Sequence, residues 1–177
     1  QITYVAFSTC AESVPKGYPN DVLDHEVRNA TLTLGIKPEN LIILDYKVRK
    51  FNYERQNILE DLIKIRSKKY YDLVLTPSLD DIHQDHSVIA RESLRAFKNT
   101  TILGYELPWN NLSFETKCFI ELNQDHINKK ILSLKQYKSQ ENRNYLSEDI
   151  ILSLAKTRGV QSGRDLAECF EVLKLYL

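Results

Sequence analysis

Apolar and polar positions alternate along the chain in blocks that predict strands followed by helices. Runs rich in β-branched and aromatic residues predict strands at 2–8, 41–44, 71–76, 101–107, 117–122 and 170–173. Segments with a helical period predict helices at 20–34, 53–66, 85–97, 125–137, 147–157 and 163–169. Because strands and helices alternate at spacings that need crossover connections, we expect an α/β fold with a mostly parallel sheet covered on both faces.

Composition narrows the classes of function without choosing one. Lys and Arg together number 24, as do Asp and Glu, so overall charge favours neither nucleic acid nor an anionic membrane surface. No apolar run approaches the ~20 residues that span a bilayer. The three cysteines are widely spaced and form no CxxC pair, which predicts reduced thiols in a cytoplasmic protein. No repeat or linker divides the chain, so we expect one domain over 1–177.

The segment 76–86 carries the densest chemistry in the chain. It holds two of the four histidines and three aspartates, directly after a predicted buried strand. Ligands of open α/β sheets gather at the carboxyl ends of strands. His83 and His86 are three residues apart at a predicted helix start, so both rings can reach one cavity. Asp85 can accept the second N–H of one ring and fix its tautomer. This pattern predicts a metal or acid–base site, and a solvated helix cap with Asp80 and Asp81 as turn residues is the alternative.

Several short motifs, in this order and spacing, resemble the PIG-L/LmbE family of zinc-dependent N-deacetylases. They run along nearly the whole chain: Thr9-Cys10-Ala11-Glu12, Glu26 and Ala30 before Leu34-Gly35-Ile36, Thr76-Pro77, His83-Gln84-Asp85-His86, Gly104-Tyr105-Glu106, Tyr137-Lys138-Ser139-Gln140, Arg143-Asn144-Tyr145, Arg158-Gly159 and Ala167-Glu168-Cys169-Phe170. One departure is mild: Gln84 stands where the family commonly has Pro.

The resemblance implies a Rossmann-like three-layer domain that removes an N-acetyl group from an amino-sugar-containing substrate. It implies one Zn²⁺ per subunit, with His86 as a ligand. His83 would stabilise the tetrahedral intermediate and Asp85 would orient His83. A metal-bound water would attack the acetamide carbonyl, and the products would be a free amine and acetate.

Six further residues are candidates for binding the substrate. Glu12 would line the pocket, and Arg49 would bind a polar group of the substrate. A sugar would stack on Trp109 and hydrogen-bond to the residues beside it. The alternatives are an exposed loop carboxylate for Glu12, a surface arginine for Arg49 and simple packing for Trp109. The predicted substrate-binding residues are Glu12, Arg49, Tyr105, Glu106, Trp109 and Asn110.

The front of the chain departs most from the family. Family members begin with a strand and an Ala-His-Pro-Asp-Asp segment, which would supply the other two zinc ligands and the general base. We therefore expect the native polypeptide to carry a further N-terminal strand, motif loop and helix. The rival interpretation is a catalytically degenerate relative that binds glycans or a protein. An unrelated metal-binding or nucleotide-binding α/β domain is disfavoured, because no GxGxxG or GxxxxGK[ST] loop is present.

The expected partner is an N-acetylated sugar or glycoconjugate, with no nucleic acid and no membrane span. A dimer or a hexamer would fit the family, and no residue decides the oligomeric state.

Overall fold

The computed structural model describes residues 1–176 and divides into two compact units. The first unit comprises Gln1–Val48 and Glu121–Glu168, and the second comprises Arg49–Ile120 and the segment from Cys169 onward. Each unit thus joins sequence from both halves of the chain.

The first unit holds a small parallel sheet and three helices. Strand β1 (Tyr4–Ala6) pairs with β2 (Leu41–Ile43), and α1 (Val22–Thr33) makes the crossover between them. Gly35 ends α1 in the left-handed conformation at φ 84°, which lets Ile36 N–H reach the Thr31 carbonyl at 3.0 Å. Helices α4 (Gln124–Leu134) and α5 (Glu148–Ser162) complete the unit. Their buried contacts form a core of Ile127, Ile151, Ala155 and Leu166.

The second unit is built on a four-stranded sheet in the order β3-β4-β6-β5. Its strands are β3 (Leu73–Pro77), β4 (Thr101–Tyr105), β5 (Cys118–Glu121) and β6 (Ala167–Lys174). Strands β3 and β4 are parallel, whereas β4 and β6 are antiparallel. Helices α2 (Arg55–Lys68) and α3 (Gln84–Ala96) pack against each other, and α3 also packs on β3.

The parallel pair β3 and β4 brings two loops to the same edge of this sheet. Pro77 lies beside Tyr105 at the carboxyl ends of the two strands. The strands approach closely here because Gly104 has no side chain: a Cβ on Gly104 would lie 3.2 Å from Ser78 Cα. The loops after β3 and after β4 therefore start next to each other.

The alternation of strands and helices confirms the predicted α/β fold, but the larger sheet is mixed. The helix predicted over 163–169 is wrong. Gly163 ends α5 at φ 69°, and β6 begins at Ala167. Burial of Ala167 and Cys169, and the position of β6 beside β5, outweigh the local helical pattern. Among the described residues, β1 pairs with β2 alone.

None of the helices within residues 1–176 combines the length and the apolar character that crossing a membrane requires.

Candidate active site

The loop after β3 is shaped by local hydrogen bonds that present two histidines together. Ser78, which is fully buried, accepts the backbone N–H of Asp81 at 3.3 Å. The Asp81 carboxylate then accepts the backbone N–H of His83 at 2.8 Å. His83 is the residue that caps α3, and its side chain accepts the backbone N–H of Asp85. The helix therefore begins with His83 and His86 on its first turn.

Asp81 and His86 form a carboxylate–imidazole pair at this edge. Asp81 Oδ2 lies 2.7 Å from His86 Nδ1, and the side chains are 1% and 30% exposed. An ionised carboxylate can only accept, so this contact assigns the imidazole proton to Nδ1. The second nitrogen, Nε2, then carries a free lone pair. This is the arrangement in which a histidine binds a metal while a carboxylate fixes its ring.

His83 has the opposite tautomer. Its Nδ1 accepts the Asp85 backbone N–H at 3.2 Å, so the proton of the neutral ring resides on Nε2. Burial lowers the pKa of His83, and the neighbouring His86 lowers it further, while Asp85 and Asp81 oppose the shift and Arg49 adds to it. The neutral ring is therefore favoured, and it presents an N–H donor.

The two rings lie against each other. Their centroids are 4.5 Å apart, and their planes are inclined by 28°. One ring thus offers a lone pair and the other an N–H from neighbouring positions, so a ligand and a hydrogen-bond donor lie side by side.

The Asp85 backbone N–H donates to His83, whereas the Asp85 carboxylate bonds the backbone of another segment. The buried carboxylate accepts the backbone N–H of Arg49 at 2.5 Å and that of Phe51 at 3.4 Å. Arg49 is held in the left-handed conformation at φ 64°, which is unfavourable for a residue with a side chain. The exposed Arg49 side chain acts electrostatically on His83. Asp85 therefore fixes segment 49–51 against the start of α3.

The loop after β4 is tied to the histidine loop. Ile82 N–H donates to the Asn110 carbonyl at 3.1 Å, and Asp81 forms an isolated bridge with Asn111. The Asn110 Nδ2 atom lies 3.5 Å from Asp81 Oδ2. Trp109 is 43% exposed. These bonds bring Asn110 and Trp109, both predicted from sequence, beside the Asp81–His86 pair.

The remaining predicted substrate-binding residues lie at the end of β4 and in the first unit. Tyr105 and Glu106 are half-buried at the end of β4. Glu12 lies in the first unit, on an exposed turn of 3₁₀ helix (Ala11–Ser13) after β1. That turn begins at Cys10, which has φ 54°.

Asp81 is the site residue whose role the sequence did not indicate. The alternative interpretation of the sequence makes it an ordinary turn residue, yet its carboxylate is buried and bonds both the His83 backbone and the His86 ring. A carboxylate five residues before a histidine, just past a strand, is the signal that could have identified it. The prediction that this strand is buried is wrong for Leu73 and Leu75, which are exposed, whereas Thr76 and Pro77 are buried.

The fit of a catalytic metal to these residues is partial. Such a site for zinc needs three protein ligands and an open position. Residues 1–176 contain no group of three His, Cys, Asp or Glu side chains placed to hold one ion. His86 Nε2 alone has the tautomer and the supporting carboxylate of a ligand. The described residues therefore supply one ligand position and do not form a complete metal site.

Comparison with known proteins agrees with the resemblance seen in the sequence. The family described as PIG-L: GlcNAc-PI de-N-acetylase matches residues 13–97. The chain is 30% identical over 118 residues to the uncharacterized deacetylase YaiS of Escherichia coli (strain K12), a match covering 64% of this chain. The aligned part is also 64% of that relative's own length.

Two solved structures share the fold at low sequence identity. The N,N'-diacetylchitobiose deacetylase of Pyrococcus horikoshii, in complex with its inhibitor MPG, has a TM-score of 0.79 at 17% identity, covering 98% of this chain and 73% of that one. GalB, the 4-carboxy-2-hydroxymuconate hydratase of Pseudomonas putida KT2440, has a TM-score of 0.75 at 14% identity, covering 98% and 84%. Since a deacetylase and a hydratase both have this fold, the fold alone does not fix the reaction.

Proposed function

From the premise that this chain is a relative of the PIG-L deacetylases through residues 13–97, we propose that it is a metal-dependent N-deacetylase. Its substrate would be an N-acetylated amino sugar or a glycoconjugate that contains one. Water would cleave the acetamide bond, and the products would be a free amine and acetate. The Rossmann-like, mostly parallel sheet predicted from the sequence remains part of this proposal.

One observation carries the proposal: the two stacked histidines have complementary tautomers. His86 offers a lone pair at Nε2 because Asp81 holds the proton on Nδ1. His83 offers an N–H at Nε2 because its Nδ1 accepts the Asp85 backbone N–H. Amide hydrolysis needs both functions, a ligand for the group that activates water and a donor for the oxyanion that develops on the carbonyl. Removing a single donor of this kind typically lowers kcat by about 10²–10³-fold.

The metal in this proposal is a divalent cation, with zinc as the first candidate. When bound, such a cation lowers the pKa of water and polarises a carbonyl. His86 Nε2 is the position that would hold it, and the described residues contain no group of three side chains placed around one ion. The residues of this chain then have the following roles: Asp81 orients His86, His83 donates to the oxyanion, and Asp85 positions His83 through its backbone.

In this proposal, residues around the two histidines bind the sugar. Arg49 lies close enough to act on His83, and Asn110 and Trp109 are on the loop bonded to the histidine loop. Tyr105 and Glu106 follow at the end of β4. Glu12, on its own exposed turn, is retained as a candidate for the same role.

A glycan-binding relative without activity is the second candidate function. The observation that favours it is the single metal-ligand position among residues 1–176. Such a protein would bind N-acetylated sugars with Trp109 and Asn110 and release no acetate.

The test compares metal content with acetate release. The full encoded polypeptide is assayed with N-acetylglucosamine and N,N'-diacetylchitobiose, and bound metal is measured by mass spectrometry. We expect His86→Ala to lose both metal and turnover. We expect His83→Ala to keep its metal while kcat falls by about 10²–10³, because it removes a donor to the oxyanion. His25→Ala, an exposed histidine on α1, is the matched control and should change neither.

Three results would contradict parts of the proposal. Equal loss of metal in His83→Ala and His86→Ala would overturn the division of roles. Sugar binding without acetate release by the metal-loaded protein would favour the glycan-binding alternative. Metal-independent acetate release would overturn the metal dependence.

A further inference from the structure

A cleft opens at the amino ends of strands β3 and β4, within the second unit and at the opposite edge of the sheet from the histidines. Its lining residues come from the end of α2 with the turn into β3, and from the turn between α3 and β4. Its volume is about 390 Å³, and small-molecule sites typically have roughly 300–1,000 Å³. Strand β3 has five residues, so about 13 Å of sheet separates the cleft from the histidine loop. The cleft is therefore distinct from the candidate active site.

Three cations and no carboxylate line this cleft, which we call the basic cleft. The cations are Arg66, Lys69 and Lys98. None of the three forms an ion pair within residues 1–176. Asp72 is close in sequence, but it does not line the cleft. Because a cleft lined by charges of one sign concentrates ions of the opposite sign, the basic cleft favours an anionic ligand.

Cations near the ends of helices often serve only to neutralise the last carbonyl groups. At the end of α3 this need is already met, because the carbonyls of residues 96–98 accept hydrogen bonds from the side chains of Arg66 and Lys174. Neither Lys69 nor Lys98 donates a side-chain hydrogen bond within the described part of the chain. Their ammonium groups can therefore bind an anion without giving up an existing bond.

Two tyrosine rings and two neutral polar side chains complete the lining. The Lys69 ammonium lies 5.3 Å from the centroid of the half-buried Tyr71 ring. Tyr70 is 73% exposed, so its ring is accessible to a flat ligand. Asn99 and Thr100 add an amide and a hydroxyl group. Exposed aromatic rings beside basic side chains are the combination that binds a nucleotide, with the base on the ring and the phosphates on the cations.

We propose that the basic cleft binds a nucleoside diphosphate. Arg66 would bind phosphate oxygens with its planar guanidinium, and the two lysines would add point charges. A phosphate monoester carries about −1.5 to −2 near neutral pH, so three cations match a diphosphate better than a single phosphate. The base would stack on Tyr70, and Asn99 would hydrogen-bond to its edge. Side-chain cations would hold the phosphates, so this site needs no glycine-rich phosphate loop.

The test measures the binding of adenosine diphosphate to the full encoded polypeptide by isothermal titration calorimetry. We expect Lys69→Gln and Lys98→Gln each to raise the Kd at least about tenfold, because each removes a hydrogen bond to a charged group. Lys68→Gln is the matched control: it removes an equal charge next to Lys69, from an exposed residue that does not line the cleft. Its Kd should change less than about twofold.

A second comparison tests the aromatic ring. Tyr70→Ala should raise the Kd of adenosine diphosphate at least about fivefold and leave that of pyrophosphate unchanged, since only the nucleotide has a base to stack. Tyr53→Ala is the control, because Tyr53 is 75% exposed and lies outside the cleft. His86→Ala should also leave the Kd of adenosine diphosphate unchanged, which would locate the nucleotide away from the histidine loop.

Four results would overturn the inference. Millimolar adenosine diphosphate could give no saturable binding, or Lys68→Gln could weaken binding as much as Lys69→Gln, which would indicate diffuse surface charge. Equal Kd values for pyrophosphate and adenosine diphosphate would indicate an anion site that does not select nucleotides. A single-stranded oligonucleotide that binds the cleft far more tightly than the mononucleotide would assign it to nucleic acid. Circular dichroism verifies the fold of each variant. Since acetate release is not measured, the result is independent of the proposed function.

Discussion

At the scale of the residue, the position of a single proton determines what each histidine can do. Asp81 is buried, and a hydrogen bond from His86 Nδ1 to its carboxylate leaves Nε2 as the free nitrogen. A neutral or displaced group at position 81 would hold the ring less firmly. Carboxylates that orient a ligating histidine in this manner contribute substantially to metal affinity.

Replacing the buried carboxylate should therefore weaken metal binding while His86 remains present. We expect Asp81→Asn to lower the affinity for Zn²⁺ by about 10–100-fold, measured by competition with a chelator of known affinity. The neighbouring Asp80 is exposed and contacts Ser113 rather than a ring, so Asp80→Asn is the matched control and should change affinity less than about twofold. Equal affinities of Asp81→Asn and the unmodified protein would show that Asp81 does not orient a metal ligand.

At the scale of the element, a glycine in α5 lets the turn that follows the helix pack closely against it. In α5, Gly159 is buried, and its carbonyl accepts the Arg164 N–H at 2.9 Å as the chain turns back. A Cβ on Gly159 would lie 2.5 Å from the Asp165 carbonyl oxygen and 2.7 Å from that of Arg164. The turn that leads into β6 therefore packs on the helix only because this residue has no side chain.

Because of this packing, replacing Gly159 by alanine should destabilise the protein, although the same change usually stabilises a helix. Helix propensity alone would make Gly159→Ala stabilising by about 1 kcal/mol. The contact with the backbone of 164–165 should instead make it destabilising by about 2 kcal/mol, because that backbone has to shift. Denaturant unfolding monitored by circular dichroism measures the change. Ser153→Ala, at an exposed position of the same helix, should stay within about 0.5 kcal/mol, and a stabilised Gly159→Ala protein would contradict the argument.

At the scale of the whole chain, a buried carboxylate joins residues that are far apart in the sequence. Glu26 on α1 accepts the Ser139 backbone N–H at 2.8 Å and the Ser139 hydroxyl at 2.7 Å, across a separation of 113 residues. Burial raises the pKa of the nearby Tyr137, and the charges of Tyr4, Glu26 and Cys10 raise it further, so this phenol stays protonated. The first unit thus depends on polar contacts between its two sequence segments.

Removing one donor to Glu26 should destabilise the fold measurably. We expect Ser139→Ala to lower the free energy of unfolding by about 2 kcal/mol, since hydrogen bonds to a buried charged group contribute about 1.5–3 kcal/mol. Ser67→Ala is the control, because Ser67 is exposed and bonds only within its own helix. Chemical denaturation of the two variants side by side gives the comparison, and equal stabilities would mean that Glu26 finds a replacement donor.

The predictions from sequence differ in outcome for physical reasons. Strands and helices up to β5 were located to within a few residues because their burial pattern has a clear period. The helix predicted over 163–169 is wrong because α5 ends at Gly163 and because β6, which begins at Ala167, lies beside β5, a strand distant in sequence. The mixed direction of the sheet has the same cause, since β6 joins the sheet antiparallel to β4. The roles predicted for His83, Asp85 and His86 remain predictions.

The sequence by itself determined the α/β alternation, the histidine pair just after a strand and the resemblance to the PIG-L deacetylases, which the family match over residues 13–97 supports. These follow from local periodicity and from the order of short motifs, both of which are properties of neighbouring residues. Only the tertiary structure decided that Asp81 orients His86, that the Asp85 carboxylate bonds the backbone of 49–51, and that the loop carrying Trp109 and Asn110 lies against the histidine loop. The physical reason is that hydrogen bonds and burial depend on distances in space, which β3, β4 and Gly104 set by bringing separate segments to one edge of a sheet.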